Sequence, residues 1–438
     1  MTNFLCLDVG STWTKGALVA ADGALLGTAQ HETTPPEVLD GVAAVTGALS
    51  AGDATVLACS SAGGGLRLAV VGQERLVSTE AGHRVALSAG AKVVHVSAGS
   101  LSNVHALRAA RPDVILLVGG TDGGDEKVLL HNATRLARAR VTVPIVLAGN
   151  KNAQPAALSI LDGRTVVPTD NVLPDVGELA PGPARAAIRE VFLSHVIGGK
   201  GLSRGPRFRE LVRTVTPDAV LSGVAVLASK EEDGAVLVVD VGGATTDVYS
   251  AVSADTPGLE GDVAPLRHAR TVEGDLGLRS GARGVLAAAA AEGLLGDGRE
   301  AAGPAAGDDL LEHVERAAAD PGYLPADPAP DLRLAALAAR IAARRHGRPQ
   351  TPGGAPRPLR DVGLLVGSGG VLRHNPGAAD GVLRPLTRDH AGGWAVPERA
   401  RVAVDGRYVL FAAGLLAGVA PEGAVTLARG VAQGTMGG

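Results

Sequence analysis

Aromatic residues are scarce in this chain: two tryptophans, three tyrosines and four phenylalanines make up 2% of its 438 residues. A protein that stacks nucleic-acid bases needs aromatic platforms, and one that binds the phosphate backbone usually carries a strong basic excess. The formal net charge is -4. Both shortages argue against nucleic-acid binding.

Cysteine is also rare, with only two residues in the chain. Cys6 and Cys59 both lie in apolar runs, which predicts buried thiols in a reducing compartment and excludes a disulfide framework. The eleven histidines form no metal-type pair with a carboxylate. The chain also lacks a signal-peptide pattern and an uncharged apolar run long enough to span a membrane. We therefore expect a cytoplasmic protein that does not bind membranes.

Glycine, by contrast, is abundant, and its 61 copies cluster after apolar runs. Strands and helices alternate from about residue 66 to 170, which predicts parallel βαβ units. The predicted strands cover 4–9, 14–20, 25–30, 54–59, 92–96, 113–118, 144–148, 165–168, 235–239 and 362–366. Helices are predicted over 36–49, 217–229 and 407–418. The pattern is typical of an α/β protein with several glycine-rich strand exits.

The first glycine-rich element follows the first predicted strand. Asp8 stands at the end of this strand and the chain turns at Gly10, so that backbone N–H groups and the hydroxyls of Ser11 and Thr12 face one concavity. Such a nest binds anions, and a carboxylate beside it indicates Mg²⁺. Lys15 is either a phosphate contact or an exposed strand lysine.

The second element repeats this pattern at domain scale. An apolar strand ends at Asp240, and Gly242, Gly243, Thr245 and Thr246 follow. One Asp-x-Gly exit is as readily a structural turn, whereas two matched copies predict a duplicated phosphate site.

The third element is a strand that runs into Gly367-Ser368-Gly369-Gly370. Backbone without side chains can lie flat against adenine and ribose. The alternative is a common strand-to-helix turn.

In chain order, these elements resemble the phosphate-1, phosphate-2 and adenosine motifs of the superfamily of actin, heat-shock chaperones, and acetate and sugar kinases. The resemblance implies an α/β fold of duplicated actin-like (ribonuclease H-like) domains with an interdomain nucleotide cleft and an α/β insertion. It implies a first ATPase domain over 1–80, the insertion over 81–172, a connecting segment over 173–216, a second ATPase domain over 217–400, and C-terminal helices over 401–438 that return to the first domain.

The resemblance also implies roles for the motif residues. Asp8 and Asp240 become the catalytic carboxylates and the Mg²⁺ ligands. The residues implied to bind ATP are Gly10, Ser11, Thr12, Lys15, Gly242, Gly243, Thr245, Thr246, Gly367, Ser368, Gly369 and Gly370.

Two further blocks give the resemblance at family level. Ala58-Cys59-Ser60-Ser61-Ala62-Gly63-Gly64-Gly65-Leu66-Arg67 and Val118-Gly119-Gly120-Thr121-Asp122-Gly123-Gly124 are similar to the MutL family, accessory proteins of the adenosylcobalamin-dependent glutamate mutase (methylaspartate mutase). This likeness implies an ATP-binding and ATP-hydrolysing, chaperone-like factor that reactivates or maintains the mutase. It leaves the oligomeric state open, a homodimer included.

Rival interpretations remain at this stage. A small-molecule kinase on the same fold would recruit Asp275 or Asp122 as its base, and an actin-like filament ATPase would polymerise with ATP. An activator with an iron–sulfur cluster is disfavoured by the buried setting of both cysteines. Asp247 either serves the nucleotide site or closes its hairpin, and the glycine-rich loop over 118–125 is either a second binding loop or a structural strand exit.

Overall fold

The computed structural model describes residues 2–10, 12–61, 66–72, 82, 91–176, 178, 180–192, 194, 207–231, 234–252, 268–295, 306–349, 356–392 and 395–433. The chain divides into two compact units. The first draws its described residues from Met1–Ser222 and Phe411–Ala424, and the second draws them from Gly223–Pro257, Arg267–Leu410 and Val425–Gly438.

The first part of the chain carries strands and helices in alternation. Its strands are β1 Asn3–Val9, β2 Trp13–Ala20, β3 Leu25–Glu32, β4 Thr55–Ser60, β5 Arg67–Gly72, β6 Lys92–Ala98, β7 Val114–Leu117, β8 Ile145–Leu147, β9 Val166–Pro168 and β10 Val212–Val215. Its helices are α1 Val38–Ala48, α2 Val104–Ala109, α3 Lys127–Arg138, α4 Gln154–Ile160, α5 Pro181–Val191, α6 Arg207–Leu211 and α7 Thr216–Ala228.

The rest of the chain is richer in helix. Its strands are β11 Val236–Val241, β12 Thr246–Ala251, β13 His268–Glu273, β14 Leu364–Ser368 and β15 Arg401–Val404. Its helices are α8 Ala282–Ala291, α9 Ala306–Ala319, α10 Ala329–Gly347, α11 Gly370–His374, α12 Ala379–Leu383, α13 Leu410–Leu416 and α14 Pro421–Ala432, with short 3-10 turns at Leu359–Asp361, Pro376–Ala378, Arg384–Arg388 and His390–Gly392.

Two sheets, one in each unit, have the same topology. In the first unit the strand order is β10-β4-β1-β2-β3, and in the second it is β13-β12-β11-β14-β15. In each sheet, the first three strands in chain order form an antiparallel meander. The first strand also pairs in parallel with the fourth, and the fourth pairs in parallel with the fifth. This repetition confirms the predicted fold class of duplicated ribonuclease H-like domains.

A third sheet, with all its strands parallel, lies within the first unit. Its order is β6-β5-β7-β8-β9, the doubly wound order in which the second strand lies outside the first. The sheet confirms the predicted parallel βαβ units, and it begins with β5 at Arg67, ahead of residue 81, where we placed the start of the insertion.

The segment over 173–216 contains more than the predicted connection. It holds α5 and the edge strand β10, and α5 buries Ala184, Ile188 and Val191. Proline near the start of α5 suits the first turn of a helix, where the missing N–H would have no partner.

Candidate nucleotide site

The turn between β1 and β2 carries the first predicted carboxylate. The N–H of Gly10 donates to the carbonyl of Trp13 at 3.0 Å. Asp8 is opposite Lys15 on β2 and beside Cys59 on β4. Only 2% of Asp8 is exposed, so this carboxylate is held inside the carboxyl edge of the sheet.

Asp8 has a buried hydroxyl partner that the sequence did not reveal. The hydroxyl of Thr216, the first residue of α7, donates to Asp8 Oδ1 at 2.5 Å. Thr216 directly follows β10, and the pairing of β10 with β4 places it at the same sheet edge as Asp8. The four residues of β10 do not predict a strand, so the sequence does not predict this contact.

The thiol of Cys59 lies 3.8 Å from Asp8 Oδ1. Burial raises the pKa of Cys59 well above its usual value, and the charge of Asp8 raises it further. Burial also raises the pKa of Cys6 to about 12. Both thiols are unpaired and buried, as predicted, and they are protonated at neutral pH, so neither is a ready nucleophile.

The turn between β11 and β12 reproduces the first one. The N–H of Gly242 donates to the carbonyl of Thr245 at 2.9 Å. Asp240 is opposite Asp247 on β12 and beside Ser368 on β14. Asp240 therefore occupies in the second sheet the register that Asp8 occupies in the first.

Three side chains of this second turn bond within the protein. Asp247 accepts from Arg270 Nε at 2.8 Å and from the hydroxyl of Thr245 at 3.1 Å. Thr246 is fully buried and its hydroxyl donates to the carbonyl of Leu276 at 2.5 Å. These contacts favour a structural role for Asp247, the second of its two interpretations.

The third motif lies directly beside the second turn. Gly367 and Ser368 pair with Val239 and Asp240, and Gly369 follows with a φ of +99°. A β-carbon on Gly369 would lie 2.1 Å from the carbonyl oxygen of Val241, so only glycine fits. The backbone of this motif therefore passes flat against the strand that carries Asp240.

The remaining predicted residues are distributed as follows. Thr12 is exposed and its carbonyl accepts from Thr33 N–H at 2.8 Å, while Lys15 is half-buried on β2. Gly243 is exposed, and Gly370 is exposed at the first residue of α11. Ser11 lies outside the described residues.

The carboxylates considered as kinase bases are engaged in other contacts. Asp275 accepts two bonds from Arg345, at 2.8 and 3.0 Å. Asp122 accepts from the N–H of Lys151 and from the amide of Asn171, each at 2.9 Å. Both contacts favour a structural role for these two carboxylates.

The loop over 118–125 follows β7 and is held from within the protein. The buried amide of Asn150 accepts from Gly123 N–H at 3.2 Å and donates to the carbonyl of Gly124 at 3.1 Å. Asn171 donates to the carbonyl of Gly120 at 2.9 Å. These bonds favour a structural strand exit.

A metal ion at either turn would have few protein ligands. The described residues contain no group of three or more His, Cys, Asp or Glu placed to hold a metal ion. Carboxylate and hydroxyl oxygens nevertheless suit Mg²⁺, which binds few protein groups and keeps water and phosphate ligands. In the part of the chain that is described, no helix is long and apolar enough to cross a membrane.

Comparisons with solved structures find loose likenesses. The nucleotide-free acetone carboxylase matches with a TM-score of 0.32 and 16% identity, over 63% of this chain and 48% of that chain, so this chain spans about half the length of that structure. The ATP-dependent caprolactamase from Pseudomonas jessenii matches with a TM-score of 0.38 and 15% identity, over 94% of this chain and 70% of that one. Such scores carry no functional argument.

Sequence comparison is decisive. The profile of the MutL protein family matches residues 4–431. Protein MutL of Clostridium tetanomorphum is 35% identical, over 98% of this chain and 99% of that protein. The match covers all three glycine-rich motifs and the third sheet. The chain belongs to the MutL protein family.

Proposed function

We propose that this protein binds ATP with Mg²⁺, hydrolyses it, and serves as an accessory factor that reactivates the adenosylcobalamin-dependent glutamate mutase. The observation that carries the nucleotide part is the matched register of Asp8 and Asp240, each at the end of the first strand of a sheet with the same topology. Membership of the MutL family supports the mutase as partner.

The chemistry asked of the chain is modest. Phosphoryl transfer to water needs positioning and charge neutralisation more than covalent catalysis. Asp8 and Asp240 would hold the cation, which supplies neutralisation of the phosphate charge when bound. The backbone N–H groups of the two turns would orient the phosphates, and the flat backbone at Gly369 would accept the adenosine.

Calorimetry with ATP tests the nucleotide site. The wild-type protein should bind ATP more tightly with Mg²⁺ than with EDTA. In Asp8→Asn and Asp240→Asn, loss of a carboxylate removes a ligand of the cation, and the gain from Mg²⁺ should shrink by about tenfold or more, a loss of about 1.4 kcal/mol. Asp53→Asn alters an exposed carboxylate away from the motifs and should bind as the wild type does. Mg²⁺-independent binding in the wild type would refute the proposal.

The mutase part needs its own assay. Inactivated glutamate mutase, incubated with this protein and Mg²⁺-ATP, should regain activity, whereas Asp8→Asn and Asp240→Asn should restore little. ADP should accumulate without a phosphorylated metabolite. A phosphorylated small molecule in a substrate screen, with no recovery of the mutase, would favour the kinase instead.

A further inference from the structure

A short segment over 276–281, here called the clasp, lies against the second phosphate turn. The N–H of Leu278 donates to the carbonyl of Gly242 at 3.0 Å, and the N–H of Arg279 donates to that of Gly243 at 2.7 Å. These two bonds fix the orientation of peptide groups within the turn. The N–H groups that would face phosphate belong to the same peptide chain, so the clasp sets their direction.

The clasp approaches the turn as closely as backbone allows. A β-carbon on Gly277 would lie 2.3 Å from the carbonyl carbon of Ala244 and 2.5 Å from the carbonyl oxygen of Gly243. No side chain fits in this space. The clasp and the turn are therefore in direct backbone contact.

The side chain of Arg279 ties the clasp to helix α10. Its two terminal nitrogens donate to both oxygens of Asp331, at 2.8 and 2.7 Å, and the two side chains are only 12% and 10% exposed. Asp331 lies in the first turn of α10, and His313 Nε2 of α9 lies 2.9 Å from Asp331 Oδ1. A two-pronged arginine–carboxylate contact fixes geometry as well as distance.

The same helix holds the residues that precede the clasp. Arg345, near the end of α10, bonds Glu273 at 2.8 Å and Asp275 at 2.8 and 3.0 Å. Helix α10 packs on β11, β12 and β13, so it is fixed to the sheet that carries the turn. Helix α10 thus holds the clasp through Asp331 near its start, and the residues before the clasp through Arg345 near its end.

We infer that Arg279 and Asp331 are positioning residues for phosphate binding. They act through the clasp on the turn over 242–245 and do not touch the nucleotide themselves. The inference rests on the proposed function, because it assumes that this turn receives phosphate. The ligands concerned are nucleoside di- and triphosphates. The binding of a nucleoside without phosphates does not depend on Arg279 and Asp331.

The test compares ATP with adenosine in the variant Asp331→Asn. The turn loses its fixed orientation, so the affinity for Mg²⁺-ATP should fall about tenfold, while the affinity for adenosine should stay within about twofold. Glu315→Gln is the control, since it removes the Arg283–Glu315 pair between α8 and α9, whose side chains are 62% and 50% exposed. That control should bind both ligands as the wild type does. Equal loss of ATP and adenosine affinity in Asp331→Asn would overturn the inference.

Hydrogen exchange gives a readout that needs no nucleotide. The amides of Leu278 and Arg279 should exchange about tenfold faster in Asp331→Asn, with amides of β11 unchanged. Arg279→Lys keeps the charge but loses the two-pronged contact, and it should show a smaller increase even if Asp331→Asn folds poorly. Unchanged exchange in both variants, in a protein whose wild type binds Mg²⁺-ATP, would refute the positioning role alone. A wild-type protein that binds no ATP would refute the proposed function and, with it, the inference that rests on it.

Discussion

At the scale of single residues, burial sets the charge of His346. Its ring lies fully buried between two hydroxyls, 2.9 Å from Thr271 Oγ1 and 2.8 Å from Ser250 Oγ. Burial lowers the pKa of His346 well below the usual 6.5, and the nearby charge of Arg357 lowers it further. The ring is therefore neutral in the folded protein, and both of its nitrogens bond to hydroxyls.

This histidine should make the protein less stable in mild acid. Below pH 6.5 the unfolded chain protonates His346 and the folded protein does not, so the free energy of unfolding should fall as the pH falls, by about 1.4 kcal/mol per pH unit. Urea unfolding at pH 7 and pH 5 measures this slope. His346→Gln should be less stable at pH 7 but show a shallower slope, while His374→Gln, at an exposed site, should keep the wild-type slope. Parallel slopes in all three proteins would contradict the prediction.

Much of the site at this scale was predictable from the sequence. An apolar run ending in aspartate and then glycine predicted Asp8 and Asp240 at strand ends, because strand and turn chemistry are local. Thr216 and Arg279 were not predicted. Their contacts depend on pairing and packing between segments distant in sequence, and neither residue stands in a pattern of its own.

At the scale of elements, α10 is held by buried charge as well as apolar packing. Asp389, after the 3-10 turn Arg384–Arg388, accepts from Arg344 at 2.6 and 2.7 Å and from Arg340 at 3.0 Å. Burial raises the pKa of Asp389, but the hydrogen bonds from Arg344 and Arg340 outweigh it and bring the pKa to about 2. The carboxylate stays charged wherever the protein is folded near neutral pH.

Removing this carboxylate should cost far more than removing an exposed one. Asp389→Asn leaves Arg344 buried without its main partner, which should lower the free energy of unfolding by about 3 kcal/mol. Asp380→Asn breaks the exposed pair with Arg384, 64% and 42% exposed, and should cost less than about 1 kcal/mol. Urea unfolding at pH 7 compares the two variants. The wild-type advantage over Asp389→Asn should be present above about pH 4 and vanish as the pH falls towards 2; similar losses in both variants would argue against this account.

Elements were predicted unevenly, for a physical reason. Long apolar strands such as β1 and β11 were placed to within a few residues. The edge strands β10 and β15, with the sequences VRTV and RVAV, were missed because each is only four residues long and includes an arginine, which leaves a weak strand pattern. Helix α5 was hidden by its prolines and glycine, which read as a linker.

At the scale of the whole molecule, the third sheet is not an independent appendage. One of its faces joins a single apolar cluster with the first sheet and α5, in which Leu116 and Val70 meet the same core as Leu5 and Leu7. The other face forms a separate cluster with α2, α3 and α4. Part of the first unit's stability therefore comes from contacts between an inserted sheet and the sheet that carries Asp8.

Adjacent residues of β7 allow this sharing to be tested. Leu116 and Leu117 are both fully buried, but Leu116 belongs to the shared cluster and Leu117 to the separate one. Either change to alanine removes the same volume and should cost about 3 kcal/mol.

Native-state hydrogen exchange should show that Leu116→Ala lowers the protection of β1 amides about as much as that of β7 amides, because the two sheets open together through their common core. Leu117→Ala should lower protection in β7, α3 and α4 and affect β1 less. Equal loss of β1 protection in both variants would mean that the first unit unfolds as one whole whichever face is weakened, and no loss in either would mean that the inserted sheet is an independent folding unit.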